Sequence, residues 1–103
     1  MRITDENASI QNVIRHLVCI KLKDAALVPR WQEDSQVLDR IETLRHFIAA
    51  PLLNQEHYHC ALYMEFDDEA GLQTYLDHPV HLRYRTEVLV LILEDRLVVD
   101  IAT

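Results

Sequence analysis

Glycine occurs once in the 103 residues, at position 71. A glycine-rich phosphate loop is therefore impossible, which excludes a P-loop and a dinucleotide fingerprint. Cysteine occurs twice, at positions 19 and 60, too few for a disulfide framework. Basic residues are scarce: 10 against 17 acidic, a formal net charge of −7. Nucleic acid and anionic membrane surfaces are held by clustered Lys and Arg, so neither is expected as a partner. Long hydrophobic runs are also missing. The longest, residues 88–93, is far too short to span a bilayer. The opening stretch from Met1 to Asn7 is polar and has no apolar signal core. With so few cysteines, a reducing cytoplasm is the expected location.

What is present is a generous apolar content, 50% of the residues. One domain is expected at this length. Residues 1–12 read as an N-terminal arm and 13–103 as the domain. A small domain buries only part of its surface, so the apolar surplus suggests a face covered by a second copy of the chain.

Residues 13–23 are predicted as a first strand. Ile14, His16, Val18, Ile20 and Leu22 form one face, and Val13, Arg15, Leu17, Cys19 and Lys21 the other. Both faces are largely apolar, so both are expected to be covered. Pro29 suits the first turn of a helix. Trp31, Leu38, Ile41, Leu44 and Ile48 then recur at helical spacing through about residue 48. Residues 50–54 are a candidate short second strand, weakened by Pro51. Residues 57–66 are a third, with Cys60, Leu62, Met64 and Phe66 sharing a face. Asp67 or Asp68 can cap a helix running to about Asp77. His78-Pro79 breaks it, because the residue before proline avoids the helical region. A further helix over 80–93 and a last strand over 96–101 complete the order.

Strand, helix, strand, strand, broken helix, strand is the pattern of an α+β ferredoxin-like sandwich with a four-stranded antiparallel sheet. Its helices cover one sheet face. The other face, with Leu17, Cys19, Ala61 and Tyr63, is left bare, and a bare apolar face points to an interface. Two such sheets face to face make a homodimeric α/β barrel.

The groups fit for chemistry are few. Tyr75, His78 and His81 sit at one helix-to-helix corner, and His16 lies in the first strand. A histidine titrating near neutrality can take a proton from beside a carbonyl. A tyrosine hydroxyl can hold the oxyanion that results. His16, Val18 and Ile20 would floor a cavity between sheet and helices. His57 and His59 form a His-x-His about 7 Å apart by strand rise, but no third ligand is evident on that face, so no metal is expected. Cys19 and Cys60 have opposite strand parity, which argues against a disulfide between them. Each of these residues also has an ordinary structural use, His78 as a turn residue beside Pro79 and Cys60 as a small buried hydrophobe.

Four segments together resemble one family: residues 14–23, 58–62 with Phe66, Tyr75 through His81, and Glu94-Asp95-Arg96-Leu97-Val98-Val99-Asp100. The chain is similar to the stress-responsive A/B barrel domain (Dabb) family of the dimeric α/β-barrel superfamily. The resemblance implies a ferredoxin-like homodimer without implying one reaction. The family's enzymatic relatives include the plant olivetolic acid cyclase, which closes a polyketide chain by aldol condensation without metal or organic cofactor. Carried over by position, His81 would be the general acid/base, Tyr75 the catalytic tyrosine and His16 a pocket histidine. Cys60 stands where the cyclase has a second pocket histidine. The resemblance therefore implies a small-molecule pocket formed by His16, Val18, Ile20, Cys60, Tyr75, His78 and His81, needing no cofactor. Cofactor-free carbonyl chemistry of a cyclase, lyase or isomerase is one reading. A non-catalytic dimeric ligand-binding or stress-response domain is another, and a cofactor-independent monooxygenase rests on fold analogy alone.

Overall fold

The computed structural model describes residues 13–103; the arm expected over residues 1–12 lies outside the described residues. Strand β1 (Ile14–Leu22) is followed by a 3₁₀ turn at Ala25–Leu27 that leads into helix α1 (Val28–Asp34), and a second 3₁₀ segment covers Ser35–Arg40. Strand β2 (Leu44–Pro51) and strand β3 (Cys60–Phe66) come next, then helix α2 (Glu69–Asp77). Helix α3 starts at Pro79–Tyr84, widens into a π-turn at Arg85–Leu89 and ends with Val90–Ile92. Strand β4 (Leu93–Ala102) closes the chain.

The four strands form one antiparallel sheet in the order β2-β3-β1-β4. This is the ferredoxin-like α+β sandwich expected from the pattern of elements. The parity read from β1 holds throughout: its even residues are buried and its odd ones only partly so. His16 lies opposite Met64, Val18 opposite Leu62 and Ile20 opposite Cys60, all on the helix-covered face. Cys19 lies opposite Ala61 on the other face, and both cysteines are free thiols.

Helices and sheet meet in one core. Trp31, Leu38 and Ile41 come from the first helical stretch, Ile20, Leu22, Cys60, Met64 and Phe66 from the sheet, and Tyr75, Tyr84 and Leu89 from α2 and α3. Burial of this apolar surface is the main stabilising contribution. Among the described residues no helix is long and apolar enough to cross a membrane.

The stretch after Trp31 departs from the expected long helix. Regular helix ends at Asp34, and residues 44–51 are strand. Ser35 helps to end it, because its hydroxyl donates to the Trp31 carbonyl at 2.6 Å and competes with the backbone ladder. From Leu44 on the repeat is two, not 3.6. Phe47, Ala49 and Pro51 pair with the helix-facing residues of β3, while Ile48 and Ala50 pair with Tyr63 and Ala61 on the bare face. Leu44 and Ile48 fit a helical spacing only by coincidence. Pro51 is tolerated because it is the last residue of an edge strand. β3 begins at Cys60, so His57 and His59 precede the sheet. His57 Nε2 pairs with Asp95 Oδ2 at 2.8 Å, and His59 Nδ1 accepts the Leu22 amide at 3.1 Å.

Candidate active site

The corner between α2 and α3 is built by local rules. Asp68 caps α2, its carboxylate accepting the Gly71 amide at 2.8 Å. α2 ends where His78 takes extended backbone angles (φ −67°, ψ 137°), as a residue before proline must. His78 then caps α3, its Nδ1 accepting the Val80 amide at 3.1 Å, and Pro79 fills the first helical position. The corner brings the last turn of α2 against the first turn of α3. Tyr75 and His81 stack at a ring-centroid distance of 4.5 Å.

Beneath them lies β1. The His16 ring meets Tyr75 edge-on at 5.9 Å. These three side chains line a cavity of about 170 Å³ together with Val18, Leu62, Leu76, Tyr84, Arg85, Leu89, Arg96 and Val98. The cavity sits between sheet and helices, and His16, Tyr75 and His81 are all nine-tenths or more buried.

The hydrogen bonds set the roles open to each group. His81 Nδ1 is 3.0 Å from the Leu76 carbonyl. A carbonyl only accepts, so Nδ1 carries the proton and Nε2 keeps its lone pair. Burial holds the His81 imidazole below its ordinary value of 6.5; the Leu76 bond opposes this, and Arg85, His16 and Arg96 add to the lowering. The ring is neutral at physiological pH, as a base must be. Tyr75 is shifted the other way: burial raises its phenol, with Tyr84 adding to the rise. It stays protonated and can donate. His16 Nδ1 is 2.5 Å from Asp100 Oδ1, which lies directly opposite in β4. The carboxylate fixes the Nδ1–H tautomer and leaves His16 Nε2 unpaired. Behind this layer, Tyr84 and Ser35 share a buried hydrogen bond of 2.7 Å, and burial pushes the Tyr84 phenol up to about 12.

Of the sequence-based candidates, His16, Val18, Tyr75 and His81 are brought together. Ile20, Cys60 and His78 stand outside the cavity wall. Ile20 and Cys60 are paired on adjacent strands and wholly buried under other side chains. Burial also pushes the Cys60 thiol up to about 12, so it carries no thiolate chemistry. His78 is used as a cap, with Nε2 3.6 Å from Glu42 Oε2. Asp100, Arg85 and Arg96 escaped sequence reasoning. Asp100 and Arg96 share strand parity with Val98, so an antiparallel β1–β4 pairing would have placed them on the pocket face.

An outer trough of about 530 Å³ adjoins the cavity and shares Arg85, Leu89 and Arg96 with it; Leu82, Thr86, Val90 and Leu93 complete its wall.

Comparisons with known proteins agree with this architecture. No curated protein matches the chain in sequence. Among solved structures, a Dabb family protein with a ferredoxin-like fold from Mesorhizobium loti is 32% identical, with a TM-score of 0.81 over 90% of this chain and 98% of that one. A dimeric ferredoxin-like protein of unknown function from Bacteroides fragilis is 25% identical, with a TM-score of 0.75 over 91% and 99%. Hydroxynitrile lyase from Passiflora edulis shares the fold at 16% identity, with a TM-score of 0.76 over 90% and 94%. Residues 14–103 match the description of the Stress responsive A/B Barrel Domain, and the chain belongs to that family.

Proposed function

We propose that the protein is a homodimer that performs cofactor-free acid/base chemistry on a small carbonyl compound. The observation that carries this reading is the His81–Tyr75 pair: a neutral imidazole with Nε2 unpaired, stacked on a protonated phenol in one buried cavity. Environments that push two titratable groups apart in this way suit a division into base and donor. His81 Nε2 takes the proton from the carbon beside the carbonyl. The C–H electron pair moves to form the enolate, whose oxygen accepts a hydrogen bond from Tyr75. The carbanionic carbon then attacks a second carbonyl or takes a proton back from His81. The His16–Asp100 pair forms the opposite wall, with His16 held in one tautomer and available to a polar group of the substrate.

The test is exchange of the α-protons of cyclohexanone in deuterated buffer, followed by proton NMR. Wild type should accelerate exchange, and His81→Asn should lose about 10²–10⁴-fold of that acceleration. The amide introduced by this substitution can still donate to the Leu76 carbonyl but has no atom at the Nε2 position. Equal exchange by the two proteins would sink the proposal. A protein that binds ligands but accelerates no exchange would favour the non-catalytic binding domain.

The dimer rests on the uncovered sheet face. Leu17, Cys19, Ile48, Ala61, Tyr63, Leu97, Val99 and Ile101 share it. Ile48, Leu97 and Ile101 are each more than two-fifths exposed. Two such faces brought together would close an α/β barrel, and the relatives from Bacteroides fragilis and Thermobifida fusca are dimeric.

A further inference from the structure

The chamber at the corner and the trough outside it meet at two arginines. Arg85 comes from the π-turn of α3 and Arg96 from the start of β4, and both line both spaces. On a chain with 17 acidic residues, neither guanidinium has a carboxylate within ion-pair distance among the described residues. The acidic groups near them in the fold are engaged elsewhere. Glu94 pairs with Lys21 at 2.9 Å, Asp95 with His57 at 2.8 Å, and Asp100 with His16. Two unpaired cations thus flank the opening of an otherwise apolar site, where Leu82, Leu89, Val90 and Leu93 wall the trough. The inner chamber alone is smaller than the roughly 300–1,000 Å³ usual for ligand pockets. The trough brings the site into that range.

We propose that the site selects carboxylic acids with an apolar chain, Arg85 and Arg96 gripping the carboxylate where chamber and trough meet and the chain lying along the trough. A guanidinium fork matches a carboxylate through two parallel hydrogen bonds, and the low-dielectric wall strengthens the attraction. That the same molecule presents a carbonyl to His81 rests on the reaction proposed above; recognition of the acid does not.

Isothermal titration with octanoate and its neutral isostere octanamide separates the two claims. Wild type should bind octanoate at least about tenfold more tightly than octanamide, as one charge-assisted pair of about 1.5 kcal/mol or more requires. Arg85→Gln and Arg96→Gln should each reduce the preference, and the double variant should abolish it while octanamide binding stays unchanged. Both side chains are exposed, so the variants should keep the wild-type melting temperature. Equal affinity for acid and amide, a preference that survives in the double variant, or no binding of either compound would overturn the assignment. Tighter binding of octyl phosphate than of octanoate would overturn it as well, in favour of a phosphate site. Preference for the acid without acceleration of cyclohexanone exchange would remove the reaction and leave this inference standing.

Discussion

Tyr75→Phe should lower activity and leave the protein as stable as before, or more so. Tyr75 is only 2% exposed, and its hydroxyl has no hydrogen-bond partner among the described residues; what raises its pKa is burial and the neighbouring Tyr84. A hydroxyl left unpaired in a dry interior costs about 1–3 kcal/mol. The cavity it meets is about 170 Å³, several times the roughly 30 Å³ share of one water, and is polar on the His16–Asp100 side, so water can satisfy the group. The net change on removing the hydroxyl therefore lies between zero and about 1 kcal/mol of stabilisation. That is a melting temperature unchanged or raised by up to about 4–8 °C for a domain of this size. Packing is untouched, because the ring still stacks on His81 and meets Phe66 at 5.3 Å. Losing the donor should cost about 10²–10³-fold in rate, the usual effect of deleting one oxyanion contact. Scanning calorimetry and α-proton exchange on the same preparation check both halves. A melting temperature lower by more than about 4 °C would refute the reasoning, since it would mean that the hydroxyl holds the fold together.

Acid should act on this protein through His81. Its folded pKa lies below the ordinary 6.5, so the rate should fall as pH drops through a value below 6.5. Stability follows the same sign: the unfolded chain binds this proton first, so stability is full above about 6.5 and declines as pH falls to the folded pKa. His81→Asn should remove this part of the pH dependence of the melting temperature; an unchanged profile counts against it. Cys60 should resist alkylation in the native state, because with a thiol pushed to about 12 only about one molecule in 10⁴ is thiolate at pH 8. Mass mapping after iodoacetamide checks this, and rapid labelling of Cys60 would contradict its burial. Leu17→Glu places a charge in the middle of the uncovered sheet face, between Tyr63 and Val99. Light scattering should then report the 12.1 kDa mass of one chain, where wild type gives twice that; a variant that stays dimeric would move the interface elsewhere.

What could be read from the sequence was whatever depends on neighbours a few residues apart. Parity along β1 and β3 assigned every side chain to its face, and Asp68, His78 and Pro79 announced the helix corner through capping chemistry. The corner in turn put Tyr75 and His81 within reach of each other. What was hidden depends on distant pairing or on a change of helical phase. The stretch from Leu44 to Pro51 satisfies both repeats in part, and only its ladder with β3 decides between them. Asp100 meets His16 across 84 positions of sequence, so nothing local marks it. Arg85 begins a π-turn, whose extra residue carries Arg85 and Leu89 to the same wall as His81; a regular helix projected from the sequence would have set a different phase.

The same logic explains why a cysteine is tolerated at position 60. Ile20 and Cys60 pair one register step beyond Val18 and Leu62, and these last two form the apolar floor. Cys60 is sealed beneath that floor, where an imidazole would be buried with little to bond: the one acceptor near its sulfur is the Ile20 carbonyl at 3.9 Å. The polar groups of the cavity lie instead on the side of β4, the edge strand that supplies Asp100 to His16 and Arg96 to the mouth. An edge strand can carry such groups at little cost, because Asp100 and Arg96 keep their outer atoms in water while facing the chamber. A central strand such as β3 could not. The chemistry of this chain is thus carried by the helix corner on one side and by β4 on the other, with β3 reduced to packing. A substitution that restores histidine at position 60 should therefore destabilise the core without enlarging the catalytic machinery.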